Sequence, residues 1–235
     1  MTEPYRLHYA PDNASLVIRL ALEELGLSYE TALVDRRAGT QNTQAYREIN
    51  PNGLIPVLET PDGAIFETAA ILLWLADRHG ALAPSPDSPE RAAFLKWLFF
   101  ASNTLHADLR ICFYPQKYIG LDNADQSALS KVIKQRLKVH LGHLNDLTAT
   151  NPAWLGASQP SVLDFYLACM MRWMALYPAK NDRSWFDLRE YPHLFALLQR
   201  LQSRHAVVAA QAAEGLGPHP FTQPQLATPP EGSAT

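Results

Sequence analysis

The segment Ala83-Pro84-Ser85-Pro86-Asp87-Ser88-Pro89 constrains this chain more than any other. Three prolines in seven residues rule out a continuing helix or an interior strand, because proline has no N–H and its ring fixes φ. The patterns on its two sides differ. Strand and helix signals alternate before it; after it the strand signals fade and long helical periods take over. The chain has 235 residues, which suits two ordinary domains. The expected division is an α/β domain over 4–79, a linker over 80–87, an all-helical domain over 88–214 and a flexible tail over 215–235, where Pro, Gly, Ser and Thr accumulate.

Within the first part, Tyr5 to Tyr9 alternates at period two and reads as a strand. Ser15 to Leu25 carries apolar residues at helical spacing and stops at Gly26, and Tyr29 to Val34 is a second strand. Together they form a βαβ unit with a right-handed crossover. Thr43 to Ile49 predicts a short helix. Val57 to Thr60 and Ala64 to Phe66 predict a hairpin about Pro61-Asp62-Gly63, and Thr68 to His79 predicts a helix closed by Gly80. In the second part, Ser88 is the expected cap of a helix with Pro89 at its first position, running to about Tyr118. A long helix is expected over Asp125 to Thr150. Ser161 and Asp164 are spaced as a capping box for a third, and "YPHLFALLQRLQSRHAVVAAQAA" holds a fourth and fifth.

Composition narrows the function classes. Net charge is −3, which gives no electrostatic footprint for nucleic acid and no broad attraction to anionic membranes. No apolar window is long enough to span a bilayer, and the first residues have neither the basic nor the apolar region of a secretory leader. Cys112 and Cys169 are the only cysteines; they suggest no metal-ligand pattern, and a reducing cytoplasm is the expected location.

The order β-α-β-α-β-β-α is thioredoxin-like. Joined to a helical domain, it resembles the cytosolic glutathione transferase superfamily over about residues 5–213. "NPNGLIPVL" resembles that family's asparagine-proline-x-glycine-x-hydrophobic-proline-x-leucine motif. "FETAAILLWLADRHG" resembles its acidic-hydroxyl-x-alanine-isoleucine helix start, and "PSVLDFYLA" its capping box. "LHYAPDNASLVIRL" is similar to the bacterial beta-class pattern, except that the beta-class cysteine falls on Ala14, which excludes mixed-disulfide chemistry through that position.

The resemblance implies glutathione as cosubstrate and no metal. It implies a cis peptide before Pro56, so that the N–H and C=O of Ile55 face the cysteinyl unit of the tripeptide in the manner of a short strand. Thr68, as cap of its helix, would offer its hydroxyl and N–H to the γ-glutamyl carboxylate. Glu67 would sit near the ligand's ammonium. Gln41 lies in a loop where relatives place a binding residue; a solvated loop side chain is the plain alternative. His106 matches a beta-class leucine-histidine pair, with the histidine reaching toward glutathione as a donor or partly cationic group. Phe113 and Tyr114 would wall an apolar pocket for the electrophile, with Tyr9 and Trp173 as further candidates.

The thiolate is the chemical requirement. Lowering a thiol pKa of about 8.5 by about 2 units takes about 2.7 kcal/mol, and one hydrogen bond to the charged sulfur supplies about 1.5–3 kcal/mol. Ser15, through its hydroxyl or N–H, is the first candidate donor; Asn13 through its amide is the second and Tyr9 the third. Ser15 reads equally as an ordinary helix cap.

The function implied is a glutathione transferase that directs the bound thiolate at a small hydrophobic electrophile. A glutathione-dependent disulfide or peroxide reductase, and a non-catalytic binding protein for glutathione or hydrophobic ligands, are the alternatives. A homodimer is implied as well. The electrophile is not legible, because the helical domain defines its pocket.

Overall fold

The computed structural model describes residues 5–156 and 158–234; residues 4 and 235, the outer limits of the first domain and of the tail, lie outside them. The chain begins β1 (Tyr5–Tyr9), α1 (Ser15–Glu24), β2 (Tyr29–Leu33), a 3₁₀ turn (Thr40–Asn42), α2 (Gln44–Ile49), β3 (Val57–Thr60), β4 (Gly63–Phe66) and α3 (Thr68–His79). The sheet order is β2-β1-β3-β4. β1 and β2 are parallel, as the βαβ unit requires, and β3 pairs antiparallel with both β1 and β4. Val57 faces Phe66 in the β3–β4 ladder. The next residues outward, Pro56 on one side and Glu67 on the other, are therefore brought together at the end of the hairpin.

α1 occupies the centre of the molecule. Ser15 to Leu22 are all buried, Arg19 included, because the helix packs against α3 of its own half and, in the other, against α8 (Val162–Leu176) and α10 (His205–Glu214). A helix apolar on every side must be enclosed. One apolar core runs through both halves, from Leu7 and Leu58 under the sheet to Phe165, Leu198 and Phe221 among the helices.

The helical half differs from expectation at its start. α4 (Arg91–Phe100) begins at Arg91, after Pro89 rather than on it. Ser88 shapes the preceding turn instead of capping the helix: its Oγ accepts the Glu90 N–H at 3.2 Å, and its carbonyl accepts the Arg91 N–H at 3.0 Å. The long helix expected to reach Tyr118 is also divided. α4 passes into a π-helical stretch (Ala101–His106) and then α5 (Ala107–Phe113). It ends at Tyr114, with φ −131°, because Pro115 cannot follow a helical residue comfortably. α6 (Gln116–Ile119) is a single turn.

α7 (Asn123–Ala149) starts where the Asp122 carboxylate accepts the N–H groups of Ala124 and Asp125 at 2.8 and 3.0 Å. α8 (Val162–Leu176) opens with the expected capping box. Ser161 Oγ accepts the Leu163 N–H, and the fully buried Asp164 accepts the Ser161 N–H at 2.8 Å. α9 (Pro192–Leu201) and α10 (His205–Glu214) complete the bundle. Cys112 and Cys169 are free and buried. Among the described residues no helix is long and apolar enough to cross a membrane.

The expectation of a flexible tail is corrected. Leu216 and Phe221 are buried. The Arg172 guanidinium donates to the carbonyls of Leu216, Pro220 and Gln225 at 3.2, 3.0 and 2.9 Å. The Thr228 N–H bonds the Gly215 carbonyl at 2.9 Å. A proline- and glycine-rich segment lacks periodicity, but its carbonyls can still be held in place by a buried cation.

Candidate active site

The motif Asn50 to Pro56 is held from within. The Asn50 amide donates to the Leu54 carbonyl at 2.8 Å, and the Tyr46 hydroxyl reaches the same carbonyl at 2.8 Å. Asn50 Oδ1 accepts the Asn52 N–H at 3.1 Å. Gly53 has φ +61°, and a Cβ there would lie 2.8 Å from the Gln41 carbonyl, so glycine is required for this turn to close on the 3₁₀ turn. With the Leu54 carbonyl doubly bound, Ile55 follows in a fixed direction, and the Ile55–Pro56 peptide is cis. Neither the Ile55 N–H nor its C=O has a hydrogen-bond partner among the described residues. Gln41 stands on the far side of the turn, its Oε1 buried without a partner among the described residues.

Beside Ile55–Pro56 begins α3. Its N-cap is Glu67, at φ 73° and ψ 116°. A non-glycine residue there costs on the order of 1–3 kcal/mol and persists only where its surroundings over-determine it. Glu67 is exposed, and its side chain makes no capping bond. The expectation that Thr68 caps the helix is therefore corrected: Thr68 is the first helical residue and is buried. The uncapped N–H groups at this end favour an anion.

His106 ends the π-helical stretch. Its Nδ1 lies 2.8 Å from the Tyr166 hydroxyl, and its ring leans on Trp173 with centroids 5.7 Å apart. Burial, with the Glu67 charge adding to it and the Thr68 hydroxyl opposing it, raises the Tyr166 pKa well above the usual phenol value. Tyr166, from α8, thus joins the start of α3 to His106. Burial, with Arg110 adding to it, lowers the His106 pKa to about 4. The partly cationic histidine expected above is corrected to a neutral one at pH 7. A neutral imidazole carries one proton; in the tautomer in which Tyr166 donates to Nδ1, that proton sits on Nε2, which has no partner among the described residues.

The loop from β1 to α1 corrects two of the expected donors, the Ser15 hydroxyl and the Tyr9 hydroxyl; the Ser15 N–H, the other group named for that residue, has no hydrogen-bond partner among the described residues. The Ser15 hydroxyl is fully buried and donates to the Ala10 carbonyl at 3.0 Å while accepting the Ala10 N–H at 3.3 Å. It ties the loop to the helix and has no proton left for a ligand. Nor does Ser15 cap α1, whose N-cap is Ala14. The Tyr9 hydroxyl is committed as well: it donates to the Glu231 carboxylate, and burial followed by that carboxylate raises its pKa well above the usual phenol value. Asn13 differs from both. Its Oδ1 accepts the Ala14 N–H at 2.8 Å, which leaves the amide N–H₂ as a donor with no partner among the described residues.

Phe113 and Tyr114 lie at the end of α5, with ring centroids 6.5 Å apart; Phe113 also meets Tyr177 at 6.4 Å. The Tyr114 hydroxyl accepts from Arg36 at 3.2 Å, across the junction between the halves. Trp173 is core, as its helical spacing suggests, yet its Nε1 donates to Asp12 at 3.1 Å.

Sequence reasoning missed three groups: Tyr166, Arg36 and the set around Asp12. Asp12, at φ +49°, receives Arg172, Trp173 and the Tyr177 hydroxyl. Its own N–H donates to Glu214, which also binds Arg19 at 2.7 Å. The partners are about 160 to 200 residues away along the chain, so no local spacing announces them. An arginine inside the apolar run of α8 and another inside that of α1 were the available signals.

The fold and this junction define a class: a thioredoxin-like half whose cis-proline turn and third helix face a histidine-bearing helical half. The family profile of the glutathione S-transferase N-terminal domain matches residues 14–78. The disulfide-bond oxidoreductase YfcG of Escherichia coli is 31% identical over 219 residues, covering 90% of this chain and 96% of its own. The glutathione S-transferase GstA of another Escherichia coli strain is 28% identical, with 90% and 99% covered. A sphingomonad glutathione S-transferase solved in complex with glutathione is 30% identical, with 90% and 100% covered and a TM-score of 0.72. This chain belongs to the glutathione transferase superfamily.

Proposed function

We propose that the protein is a glutathione transferase whose thiolate donor is Asn13. The observation that carries this reading is the pairing, at one end of the β3–β4 hairpin, of an unpartnered Ile55 backbone with the uncapped start of α3. The Ile55 N–H and C=O pair with the cysteinyl unit. The first N–H groups of α3, with Thr68, receive the γ-glutamyl carboxylate, and Glu67 receives the ammonium. His106, neutral, offers Nε2–H from the helical side, and Gln41 lies beside the glycyl end. The Asn13 amide donates to the sulfur. One such bond contributes about 1.5–3 kcal/mol to the charged form, enough for most of a 2-unit fall in thiol pKa. The thiolate then attacks a small apolar electrophile over Phe113 and Tyr114.

The identity to YfcG favours one second reading, a glutathione-dependent disulfide reductase. Ala14 carries no thiol, so in that case glutathione supplies both redox sulfurs. The domain limits above, a homodimer and a cytoplasmic location belong to the same proposal. Exposed Phe99 on α4 supports the dimer, and sedimentation at micromolar concentration tests it.

Titration calorimetry with reduced glutathione, followed by turnover of chlorodinitrobenzene and of a small dialkyl disulfide, tests the function. Binding with turnover of the aryl chloride supports the transferase; turnover of the disulfide alone supports the reductase. Absence of binding at millimolar glutathione rejects both.

A further inference from the structure

A cavity of about 350 Å³ opens in the helical half. Its walls are the end of α5, the first half of α7 and the loop that follows α8. None of the residues given a role in the candidate active site lines it. Its size falls within the range of small-molecule sites, about 300–1,000 Å³.

Two charged residues line it among the described residues, Lys134 and Asp182, and their charges are opposite. Lys134 is half-buried. Its ammonium donates to the Asp182 carbonyl at 3.5 Å, which leaves two of its three N–H groups unspent. The Asp182 carboxylate accepts the Ser184 N–H at 2.9 Å on one oxygen and the Ser184 hydroxyl at 3.0 Å on the other, and each oxygen keeps a lone pair. Those two bonds, with the Lys134 charge, hold the Asp182 carboxyl below its usual range. The two side chains are thus neighbours, yet they form no ion pair with each other. One turn before Lys134 on α7, the Ser130 hydroxyl has no partner among the described residues. Trp185 and Pro178 add flat apolar surface, and Trp185 leans on Phe186 with ring centroids 5.8 Å apart. Cys112, also in the wall, is buried; burial raises its thiol pKa, so it brings no charge at pH 7.

Adjacent, opposite and unpaired charges beside a flat apolar wall match one chemistry. An α-amino acid carries its carboxylate and its ammonium on one carbon, and its side chain leaves from the same atom. A simple anion would meet the Asp182 charge, and a simple cation would meet Lys134; each is disfavoured by the like charge it faces. We propose that this cavity is a second small-molecule site, which takes a free α-amino acid with a flat apolar side chain. Lys134 and Ser130 hold the carboxylate, Asp182 holds the ammonium, and Trp185 and Pro178 receive the side chain. The site stands independently of the glutathione reading.

Calorimetry with L-phenylalanine tests this, against two compounds that each lack one charge, 3-phenylpropionate and 2-phenylethylamine. The expected result is one L-phenylalanine per chain, with each of the other two bound about tenfold more weakly, since each loses a hydrogen-bonded charge. Lys134→Ala is expected to weaken L-phenylalanine and 3-phenylpropionate about tenfold and to leave 2-phenylethylamine unchanged. Asp182→Asn, which keeps an oxygen for Ser184, is expected to do the converse. Circular dichroism checks that both variants fold, and either one alone carries the test. Absence of L-phenylalanine binding at millimolar concentration overturns the site, as does equal binding of all three compounds. Binding that both variants leave unchanged and that glutathione displaces puts the amino acid in the candidate active site and also overturns it.

Discussion

Arg172 grips the Asp12 carboxylate through two parallel hydrogen bonds, Nε to Oδ1 at 2.8 Å and Nη2 to Oδ2 at 2.9 Å, with both side chains fully excluded from solvent. The pair ties the β1–α1 loop to α8, and the remaining Arg172 bonds carry the tail. The β1–α1 loop and the chain beyond Gly215 thus share one anchor.

Removing one partner of such a pair leaves a buried charge alone, at a cost of about 3–5 kcal/mol. Arg172→Met is expected to lose that much in urea denaturation. A loss below about 1 kcal/mol, comparable to an exposed ion pair, contradicts the anchoring role.

Ser15 and Asn13 separate by what they disturb. Ser15→Ala removes the bonds to Ala10 and is expected to destabilise the fold by about 1–3 kcal/mol, with the pKa of the bound thiol unmoved. Asn13→Ala is expected to raise that pKa by about 1–2 units, read from the ultraviolet absorbance of the thiolate against pH. The opposite pattern returns Ser15 to the chemistry.

Tyr166→Phe leaves His106 Nδ1 without its partner. The expected effect is a rise of about fivefold in the KM for glutathione with kcat changed less, since a lost hydrogen bond of about 1 kcal/mol acts there on positioning. A merely structural tyrosine lowers the melting temperature and leaves the KM where it was.

His106 sets a pH signature. Its folded pKa of about 4 lies below the unfolded value of about 6.5. The unfolded chain therefore binds the proton first as the pH falls, and stability is lost between about 6.5 and about 4. His106→Gln, which keeps an acceptor for Tyr166, is expected to lose less stability than the parent between pH 7 and about 4.5. Equal losses in the two proteins mean that His106 is not held neutral.

Much of this architecture is local, and local information is legible. The alternation of Tyr5 to Tyr9, the apolar run after Ser15, the Asn50–Pro56 turn and the Ser161–Asp164 box each depend on residues a few positions apart. Each appears in the structure close to where its pattern places it. The failures are of another kind. Ser15 looked available because nothing nearby in sequence competes for its hydroxyl, whereas the loop folds the Ala10 carbonyl onto it. Tyr9 looked free because Glu231 is 222 residues away. His106 looked titratable because its burial depends on Tyr166 and Trp173, from a helix 60 residues on.

By itself, the sequence determined the secondary elements, their order and the family to which they point, since periodicity, capping and turn chemistry act over one or two turns of chain. The tertiary structure alone decided which polar groups remain free to meet a ligand. A hydroxyl or carboxylate buried by folding must find a partner, and that partner can come from anywhere along the chain.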